Sequence, residues 1–510
     1  MCVSLLTLIE LNSCPVMRPF ASGIGGGSFM VLKFGNESKF FNFREVAPLL
    51  ATRDMYVENE TLSLNGALAV AVPGELKGLA LVHSRYGKLT WKSLVEPIAQ
   101  LASNGFVIDR LLSMRLKSIE ATILSNSYLR NALTKRNSAD GTYSLLQQGD
   151  LFRREALGKT LSLLAEHGAQ IMYGCNDPAI SEEANVCKRL IRDVQHAGGI
   201  LSEKDMEQYQ VQETNSLRST VQFNLGEKAD SAATSYEILT STIPSSGPAI
   251  HFMFNVLEQL HKNLSRFEKK SDIREHLTIE ITKHAFAHRM HMGDSMTNPD
   301  QFTAQLIDKL YAQAIASKVQ ETTFAWPHYF TKQQVYERIA DHGTSHFSIV
   351  DDQGNVAAMT TTVNWSFGSK FISESTGIVL NNEMNDFTVN PNKTDGFGLP
   401  PSKANLVGPG KHPMSSMSPT IILDKNSQVP MFTLGASGGP TIISAVFQVA
   451  SRALVWDRLD TTAFTTASGK LSLKQLIDKP RLHTQVGQDV RIEDGVPREV
   501  LDSLKQRGHV

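Results

Sequence analysis

One segment, residues 343–364, constrains the fold of this chain more than any other. It reads GTSHFSIVDDQGNVAAMTTTVN, in which two runs of alternating apolar and polar residues flank the turn sequence Asp351–Gly354. A hairpin with its turn there pairs residues whose numbers sum to roughly 705–707. This register predicts that Thr344 lies beside one of three residues on the return strand: Thr361, Thr362 or Val363.

The dipeptide Gly343-Thr344 at the start of the first strand suits a self-processing threonine hydrolase. A threonine hydroxyl is a weak nucleophile and needs a base within hydrogen-bonding reach. When threonine is the first residue of a chain, its own α-amine, with a pKa of about 8, can be that base. The amine is freed only if the bond before Thr344 is cut, and glycine tolerates the strained backbone that favours attack on its carbonyl. The alternative is a strand that merely begins with these two residues.

The charge balance excludes some functions. The 510 residues include 50 Lys and Arg against 51 Asp and Glu, which gives a net charge of −1. Such a balance provides no field for nucleic acid or for an acidic membrane surface, so we expect neither as a partner. No run of 18 apolar residues is present, so we expect no segment that spans a bilayer. The length allows roughly two to four domains.

Signs of secretion are few. Four cysteines are too few for a disulfide framework in a chain of this length, and the sequence leaves open whether Cys175 and Cys187 pair. The apolar opening MCVSLLTLIELNSC has no basic region and carries Glu10, which leaves a signal peptide undecided. Sequons, glycosylated only in a secreted protein, begin at Asn36, Asn59, Asn263 and Asn392.

The distribution of helical and strand patterns indicates the fold class. Apolar spacing predicts helices over residues 74–86, 91–103, 154–167 and 274–292. Thr90 is the predicted N-cap of the second helix, and Gly105 its end. After residue 344 the chain becomes strand-rich. A helical half followed by a strand-rich half, without regular βαβ alternation, predicts an α+β fold and not a doubly wound sheet.

The glycine run Gly23–Gly27 invites a dinucleotide-binding interpretation. Ser28 stands where that motif needs its third glycine, and the run leads into the apolar strand Phe29–Leu32 instead of a helix. We therefore expect the run to mark a close backbone approach in a packed sheet.

Three histidines share one helix face at the spacing of metal ligands: His284, His288 and His291. No glutamate accompanies them in HExxH order, and Lys283 and Arg289 lie among them. We therefore expect a solvated polar face and no metal site.

Three later segments carry polar groups suited to a site. Residues 380–387 place two carboxylates three positions apart, and residues 412–420 form a cluster of hydroxyls. Residues 435–440 are rich in glycine and precede an apolar helix, and backbone N–H groups at such a point can stabilise an oxyanion. Each segment alone is more often structural than catalytic.

Taken together, the segments are not independent. Seven motifs occur in this order: FREVAP, VPGE, GTSH, TTVNWSFGS, LNNEMNDF, SSMSPT and GASGGP. In order and approximate spacing they resemble the γ-glutamyltransferase (glutathione hydrolase) family of N-terminal-nucleophile hydrolases. The resemblance extends from about Ser22 to the end of the chain. It implies an α+β fold of the four-layer αββα sandwich type, without cofactor or metal.

The resemblance implies self-cleavage between Gly343 and Thr344. The products would be a large subunit, residues 1–343, and a small catalytic subunit, residues 344–510, which together form one αββα globule. Thr344 would be the nucleophile and its freed amine the base. Three further residues would assist it: Thr362 by a hydrogen bond, and Gly438 and Gly439 as the oxyanion hole.

The resemblance also implies how substrate is held. Arg44 would bind the α-carboxylate of a γ-glutamyl group together with Ser415 and Ser416. The α-ammonium would be held by a second set: Asn364, Glu383 and Asp386. The donors would be glutathione and its conjugates, and the γ-glutamyl group would pass to water or to an amino acid or peptide acceptor.

Two further expectations concern where the protein is located and how the expressed chain behaves. The family implies a secreted protein or one on the extracellular face of the plasma membrane. The family pattern also includes an anchor or signal before Ser22 and further strands after Gln506–His509. Without these segments, apolar sheet surface and strand edges would be exposed, so we expect the 510-residue product, expressed alone, to be poorly soluble and largely uncleaved. Two alternatives remain: a related acylase acting on another amide, and a silent or truncated paralogue that does not mature.

Overall fold

Two antiparallel sheets form the centre of the molecule. The computed structural model describes residues 16–225, 233–267, 272–294, 298–330, 343–394, 398–457, 473–486 and 489–509. In this part of the chain the sheets contain nine strands: β1 (Gly27–Phe34), β2 (Glu37–Phe43), β3 (Gln212–Asn215), β4 (Leu217–Phe223), β5 (Thr234–Thr240), β6 (Gly343–Val350), β7 (Val356–Asn364), β8 (Thr420–Asp424) and β9 (Pro430–Leu434). The strand order is β6-β7-β1-β2-β3 in the first sheet and β9-β8-β5-β4 in the second.

Helices cover the outer faces of both sheets. They are α1 (Glu75–Tyr86), α2 (Trp91–Asn104), α3 (Arg110–Ser118), α4 (Glu120–Ser125), α5 (Ser127–Leu133), α6 (Glu155–His167), α7 (Gln170–Tyr173), α8 (Val186–His196), α9 (Glu203–Gln208), α10 (Gly247–Lys262), α11 (Ile273–Arg289), α12 (Pro299–Ile307), α13 (Lys309–Ala316), α14 (Thr441–Ser451), α15 (Leu473–Asp478) and α16 (Arg498–Gln506). Three two-stranded ribbons pair Phe106–Val107 with Leu151–Phe152, Thr134–Arg136 with Tyr143–Leu145, and Leu482–His483 with Arg491–Ile492.

The first sheet is buried on both faces, which explains the continuous apolar run in β1. Phe29 and Val31 point into the core between the two sheets, where they meet residues of β8 and α10. Met30 and Leu32 point the other way, into a core shared with α1, α2 and α6. Because side chains alternate along a strand, one strand serves both layers. The predicted four-layer αββα arrangement is confirmed.

The expected division into a helical half and a strand-rich half is wrong. Five of the nine strands precede Gly343, and each sheet takes strands from both sides of that residue. In the first sheet β1 lies between β2 and β7, and in the second β5 lies between β4 and β8. The parts before and after Gly343 are therefore interleaved in both sheets.

The predicted helix boundaries agree with the structure where capping residues were present. Helix α2 begins after Thr90, whose side chain accepts a hydrogen bond from the Ser93 N–H, and ends at Gly105, which has a φ of 90°. Such a φ favours glycine, so both ends of the helix are determined by local chemistry.

The prediction of a solvated face on α11 is wrong. Lys283, His284 and Arg289 are each about 95% buried, at relative exposures of 5%, 5% and 6%. His288 uses both ring nitrogens, one on the His284 carbonyl at 2.6 Å and one on the Tyr311 hydroxyl at 2.6 Å. With its nitrogens engaged in this way, His288 is not poised to bind a metal.

A buried disulfide and the absence of a membrane span complete the description. Cys175 and Cys187 are bonded and fully buried, joining the loop after α7 to the first turn of α8. None of the helices in the described part of the chain is both long and apolar enough to cross a bilayer.

Candidate active site

The hairpin of β6 and β7 brings two threonine hydroxyls together. The register pairs Thr344 with Thr362, within the range predicted from the turn, and a β-bulge lies between Gly343 and Thr344. The Thr344 Oγ1 lies 3.1 Å from the Thr362 Oγ1. The sequence prediction of a second hydroxyl opposite Thr344 is confirmed.

The hydrogen bonds of Thr362 have a defined direction. Its hydroxyl donates to the Gly343 carbonyl at 2.5 Å and accepts the Asn364 N–H at 2.8 Å. A hydroxyl has one proton to donate, so the contact with Thr344 must be donated by Thr344. The result is a directional chain from the Thr344 hydroxyl through Thr362 to the Gly343 carbonyl.

Gly343 is required by close packing and not by a left-handed backbone. A Cβ at this position would lie 2.5 Å from the Phe20 carbonyl oxygen and 2.7 Å from that of Trp365. Since both neighbours are backbone atoms, no side chain fits without displacing the strand.

The glycine run before β1 supports the same hairpin. A Cβ on Gly26 would lie 2.0 Å from the carbonyl oxygen of Thr362, and one on Gly25 would lie 2.1 Å from that of Val379. The prediction of a close backbone approach is confirmed. The run packs the chain against the strand that carries Thr362.

Arg44 follows β2 and is completely buried at the floor of a pocket. Its guanidinium group forms ion pairs with Glu383 and with Asp386, the latter at 2.5 Å. Its backbone is held by two further contacts, since its N–H donates to the Asn42 side chain and its carbonyl accepts the Tyr209 hydroxyl. The guanidinium is thereby fixed in place before any substrate contact.

Three acidic side chains surround the guanidinium group of Arg44. Glu45 lies 3.7 Å from Arg44, so three carboxylates surround one guanidinium. Burial raises the pKa of Glu45 to about 8 and raises the pKa of Glu383 and of Asp386, while Arg44 opposes each shift. Burial lowers the pKa of Arg44, but the three carboxylates outweigh it and the net shift is upward. A further cation would be favoured here.

Asn364 lies at the end of β7 in a strained conformation. Its φ is 74°, a left-handed value that few residues other than glycine adopt, and its side chain donates to the Asn382 carbonyl at 3.2 Å. A strained backbone conformation of this kind persists only where surrounding contacts hold it in place. Asn364 is thereby placed between the threonine pair and the turn Glu383–Asp386.

The serine pair is organised by an arginine that sequence analysis did not identify as functional. Arg289 donates to the Ser416 hydroxyl at 2.9 Å and to the Ser246 hydroxyl at 3.3 Å. Ser246 in turn donates to the Ser415 carbonyl at 2.7 Å. In the sequence nothing distinguishes Arg289 from a surface residue, because only the tertiary packing of α11 buries it.

Gly438 and Gly439 form the turn between β9 and α14. Their φ values of 124° and 60° are both positive, which favours glycine. The Gly438 carbonyl accepts the Thr441 hydroxyl at 2.8 Å, which ties the turn to the first residue of α14. The apolar helix predicted after this turn is confirmed.

One pocket gathers most of the predicted site residues. Those that line it are Arg44, Thr344, Thr362, Asn364, Glu383, Asp386, Ser415, Ser416 and Gly439. The other two, Gly343 and Gly438, are covalently bonded to lining residues. Arg289 also lines this pocket. The arrangement combines a nucleophile pair with groups for a zwitterion.

Comparison with known proteins agrees with this geometry. The family description "Gamma-glutamyltranspeptidase" matches residues 12–510. The chain belongs to this family. Among curated relatives, Scoloptoxin SSD14 from Scolopendra dehaani is 35% identical over 97% of this chain and 79% of its own length. Glutathione hydrolase 2 from Arabidopsis thaliana is 38% identical over 85% of this chain and 70% of its own length.

A solved structure shares the fold of this family member. Cephalosporin acylase from Bacillus halodurans superimposes with a TM-score of 0.74, covering 100% of this chain and 83% of that chain at 18% identity. At this identity the likeness concerns the fold alone. It agrees with the two interleaved sheets described above.

Proposed function

We propose that this chain is a γ-glutamyltransferase and glutathione hydrolase that matures by cleaving itself at Gly343-Thr344. The observation that carries the proposal is the directional chain from Thr344 through Thr362 to the Gly343 carbonyl, in the same pocket as Arg44 and its carboxylates. The curated relative named glutathione hydrolase 2 supports the choice of substrate class.

Maturation begins with attack of the Thr344 Oγ1 on the Gly343 carbonyl. A C–O bond forms, the peptide C–N bond breaks and the Oγ1 proton passes to the departing Thr344 nitrogen. Water then hydrolyses the ester, which releases the Thr344 hydroxyl and the Gly343 carboxylate. Thr362 donates to that carbonyl oxygen and so favours the negative charge that develops there. The products are residues 1–343 and 344–510, and the Thr344 amine is free.

In the mature enzyme the freed amine accepts the proton of the Thr344 hydroxyl. The Oγ1 attacks the γ-carbonyl of the donor, and the backbone N–H groups at Gly438 and Gly439 stabilise the oxyanion. The proton passes to the departing amine, which leaves an acyl-enzyme. Water or an amino acid or peptide amine then takes the γ-glutamyl group and releases Thr344.

Recognition of the donor rests on exchange of ion pairs. Glu383 and Asp386 are bound to Arg44, and a zwitterion supplies a carboxylate for the arginine and an ammonium for the two acids. Each buried charge then exchanges one partner for another and none is left unpaired, which limits the cost of desolvation. Asn364 adds an acceptor for the ammonium, and holding both ends fixes the γ-carbonyl near Thr344.

For localisation we propose a place outside the cell, either secreted or at the extracellular face of the plasma membrane. The buried Cys175–Cys187 disulfide supports it, because such bonds persist in oxidising compartments. No site feature in the described residues favours a silent paralogue, since the threonine pair and the zwitterion groups lie in one pocket.

The test is the size and activity of the purified protein. From correctly folded protein we expect two fragments, the smaller beginning Thr-Ser-His-Phe, and release of the aniline from a γ-glutamyl anilide. Thr344→Ala should remain a single inactive chain. Ser345→Ala, on the same strand, is the matched control and should be cleaved normally. Cleavage at another bond, or an active uncleaved chain, would show the proposal to be wrong.

A further inference from the structure

We propose that Arg289 is a positioning residue that confers specificity for donors bearing an α-carboxylate, acting through Ser416. The inference rests on the proposed function and deepens it. Arg289 is the last residue of α11, is 6% exposed, and lines the pocket that contains Thr344. It is a second guanidinium in that wall, in addition to Arg44.

The direction of the hydrogen bond to Ser416 determines what that hydroxyl can do. A guanidinium group only donates, so the Ser416 Oγ accepts from Arg289 at 2.9 Å. Its own O–H proton is then left to donate to another acceptor. A hydroxyl that accepts from a cation is a stronger donor, and a carboxylate is the acceptor that profits most.

Arg289 also holds the neighbouring backbone. It donates to the Ser246 hydroxyl at 3.3 Å, and that hydroxyl donates to the Ser415 carbonyl at 2.7 Å. The Ser415 N–H is bound separately to the Pro244 carbonyl at 2.9 Å. The Ser415 backbone is therefore held at both its N–H and its carbonyl, and Arg289 holds the Ser416 hydroxyl directly.

The charges of the pocket give Arg289 a role that Arg44 does not fill alone. Arg44 already forms ion pairs with Glu383 and Asp386, so its guanidinium is engaged before an α-carboxylate arrives. An α-carboxylate entering beside these two acidic groups is stabilised by additional positive charge. Arg289 supplies it through the serine hydroxyl, with no direct contact between the arginine and the substrate required.

A second buried cluster of titratable side chains lies at α11, outside this pocket. His276, Glu280 and His509 are buried within 4.8 Å of one another. However, His276 and His509 are hydrogen-bonded to each other at 2.7 Å, and Glu280 accepts from Thr323 and Tyr329. These contacts form a buried polar network that ties the chain near His509 to α11.

The decisive experiment compares two donors that differ only in the α-carboxylate. A γ-glutamyl anilide carries it, whereas a 4-aminobutanoyl anilide retains the ammonium and lacks the carboxylate. Arg289→Gln should lower kcat/KM for the first donor by about 10- to 100-fold, mainly through KM, and change the second by less than about threefold. Arg289→Lys should fall between wild type and Arg289→Gln.

A double-mutant cycle tests the route through Ser416. If Arg289 acts on the carboxylate through this hydroxyl, Arg289→Gln combined with Ser416→Ala should lose no more than the larger single loss. Lys283→Gln is the matched control, because Lys283 is equally buried on α11 but contacts Thr323. It should leave the ratio between the donors unchanged.

A binding measurement separates this inference from the proposed function. Calorimetry with L-glutamate and 4-aminobutanoate should show that the preference of the wild type for glutamate is lost in Arg289→Gln, whether or not the protein turns over a donor. An inactive protein that shows this loss would overturn the proposed function and support the role of Arg289. Equal losses on both donors, an unchanged glutamate preference, or additive effects with Ser416→Ala would overturn the role.

Discussion

The Thr362 hydroxyl takes part in three hydrogen bonds, and this predicts that it serves both self-cleavage and catalysis. Thr362→Val keeps the shape of the side chain but leaves the Gly343 carbonyl and the Asn364 N–H without their partner. We expect conversion of the precursor, followed on gels over time, to slow by about 10- to 100-fold. Thr362→Ser, which restores a hydroxyl, should convert near the wild-type rate. Normal conversion of the valine variant would contradict this role.

Single residues differed in how far the sequence could predict them. The turn sequence and the strand register limited the residue opposite Thr344 to Thr361, Thr362 or Val363, and the family resemblance selected Thr362, which the structure pairs with Thr344. The reason for Gly343 was only partly anticipated, since the carbonyl groups of Phe20 and Trp365 that crowd it are distant in sequence. Arg289 was misassigned to a solvated face, because one helix alone does not reveal which of its sides other elements cover.

At the scale of elements, the turn between β9 and α14 is predicted to act through its backbone. Gly439→Pro deletes an N–H, and since proline cannot adopt the φ of 60° found here, it also displaces the turn. Loss of one oxyanion donor costs on the order of 10²–10³ in kcat. Gly439→Ala keeps the N–H and is the control, with a smaller expected loss. An unchanged kcat in processed Gly439→Pro protein would place the donors elsewhere.

The sequence predicted the ends of individual helices but not the order of the strands in the sheets. Helices with clear caps were placed closely, because Thr90 and Gly105 act on their own neighbourhood. The sheet order was not accessible, because β1 pairs with β7 more than 300 residues later. Alternation tells which face of a strand is apolar but not which strand lies beside it. The expected separation into helical and strand-rich halves failed because β3, β4 and β5 also precede Gly343, in a region where no strand pattern was recognised.

At the scale of the whole molecule, the interleaving has a consequence for the cleaved protein. The first sheet places β1 against β7, and the second places β5 against β8, so both central sheets contain strands from each side of Gly343. Removing one fragment would expose the buried edges and both cores of the other. The two fragments are therefore expected to remain together after cleavage, and the ion pair between Arg44 and Glu383 then joins one fragment to the other.

Burial of His251 makes the free energy of unfolding depend on pH, and a single substitution at this residue can measure its contribution. Burial lowers the pKa of His251 to about 3, and its ring is bonded to the Ser219 hydroxyl at 2.6 Å. Below the unfolded value of about 6.5, the unfolded chain binds a proton that the folded chain does not, so this contribution is lost as pH falls. At pH 5 the loss is about 2 kcal/mol. Glu45 has a raised pKa and the opposite trend, so the total pH profile is not diagnostic.

The informative quantity is the difference between the wild type and His251→Gln. Glutamine does not titrate, and the contributions of Glu45 and the other buried groups cancel in the comparison. The variant should be less stable at pH 7.5, because it loses the packing of the ring, and its deficit should shrink by about 2 kcal/mol by pH 5. Denaturant unfolding at a series of pH values measures this directly. A deficit that stays constant from pH 7.5 to 5 would mean that His251 has the same pKa in the folded and the unfolded protein, and that its burial imposes no such penalty.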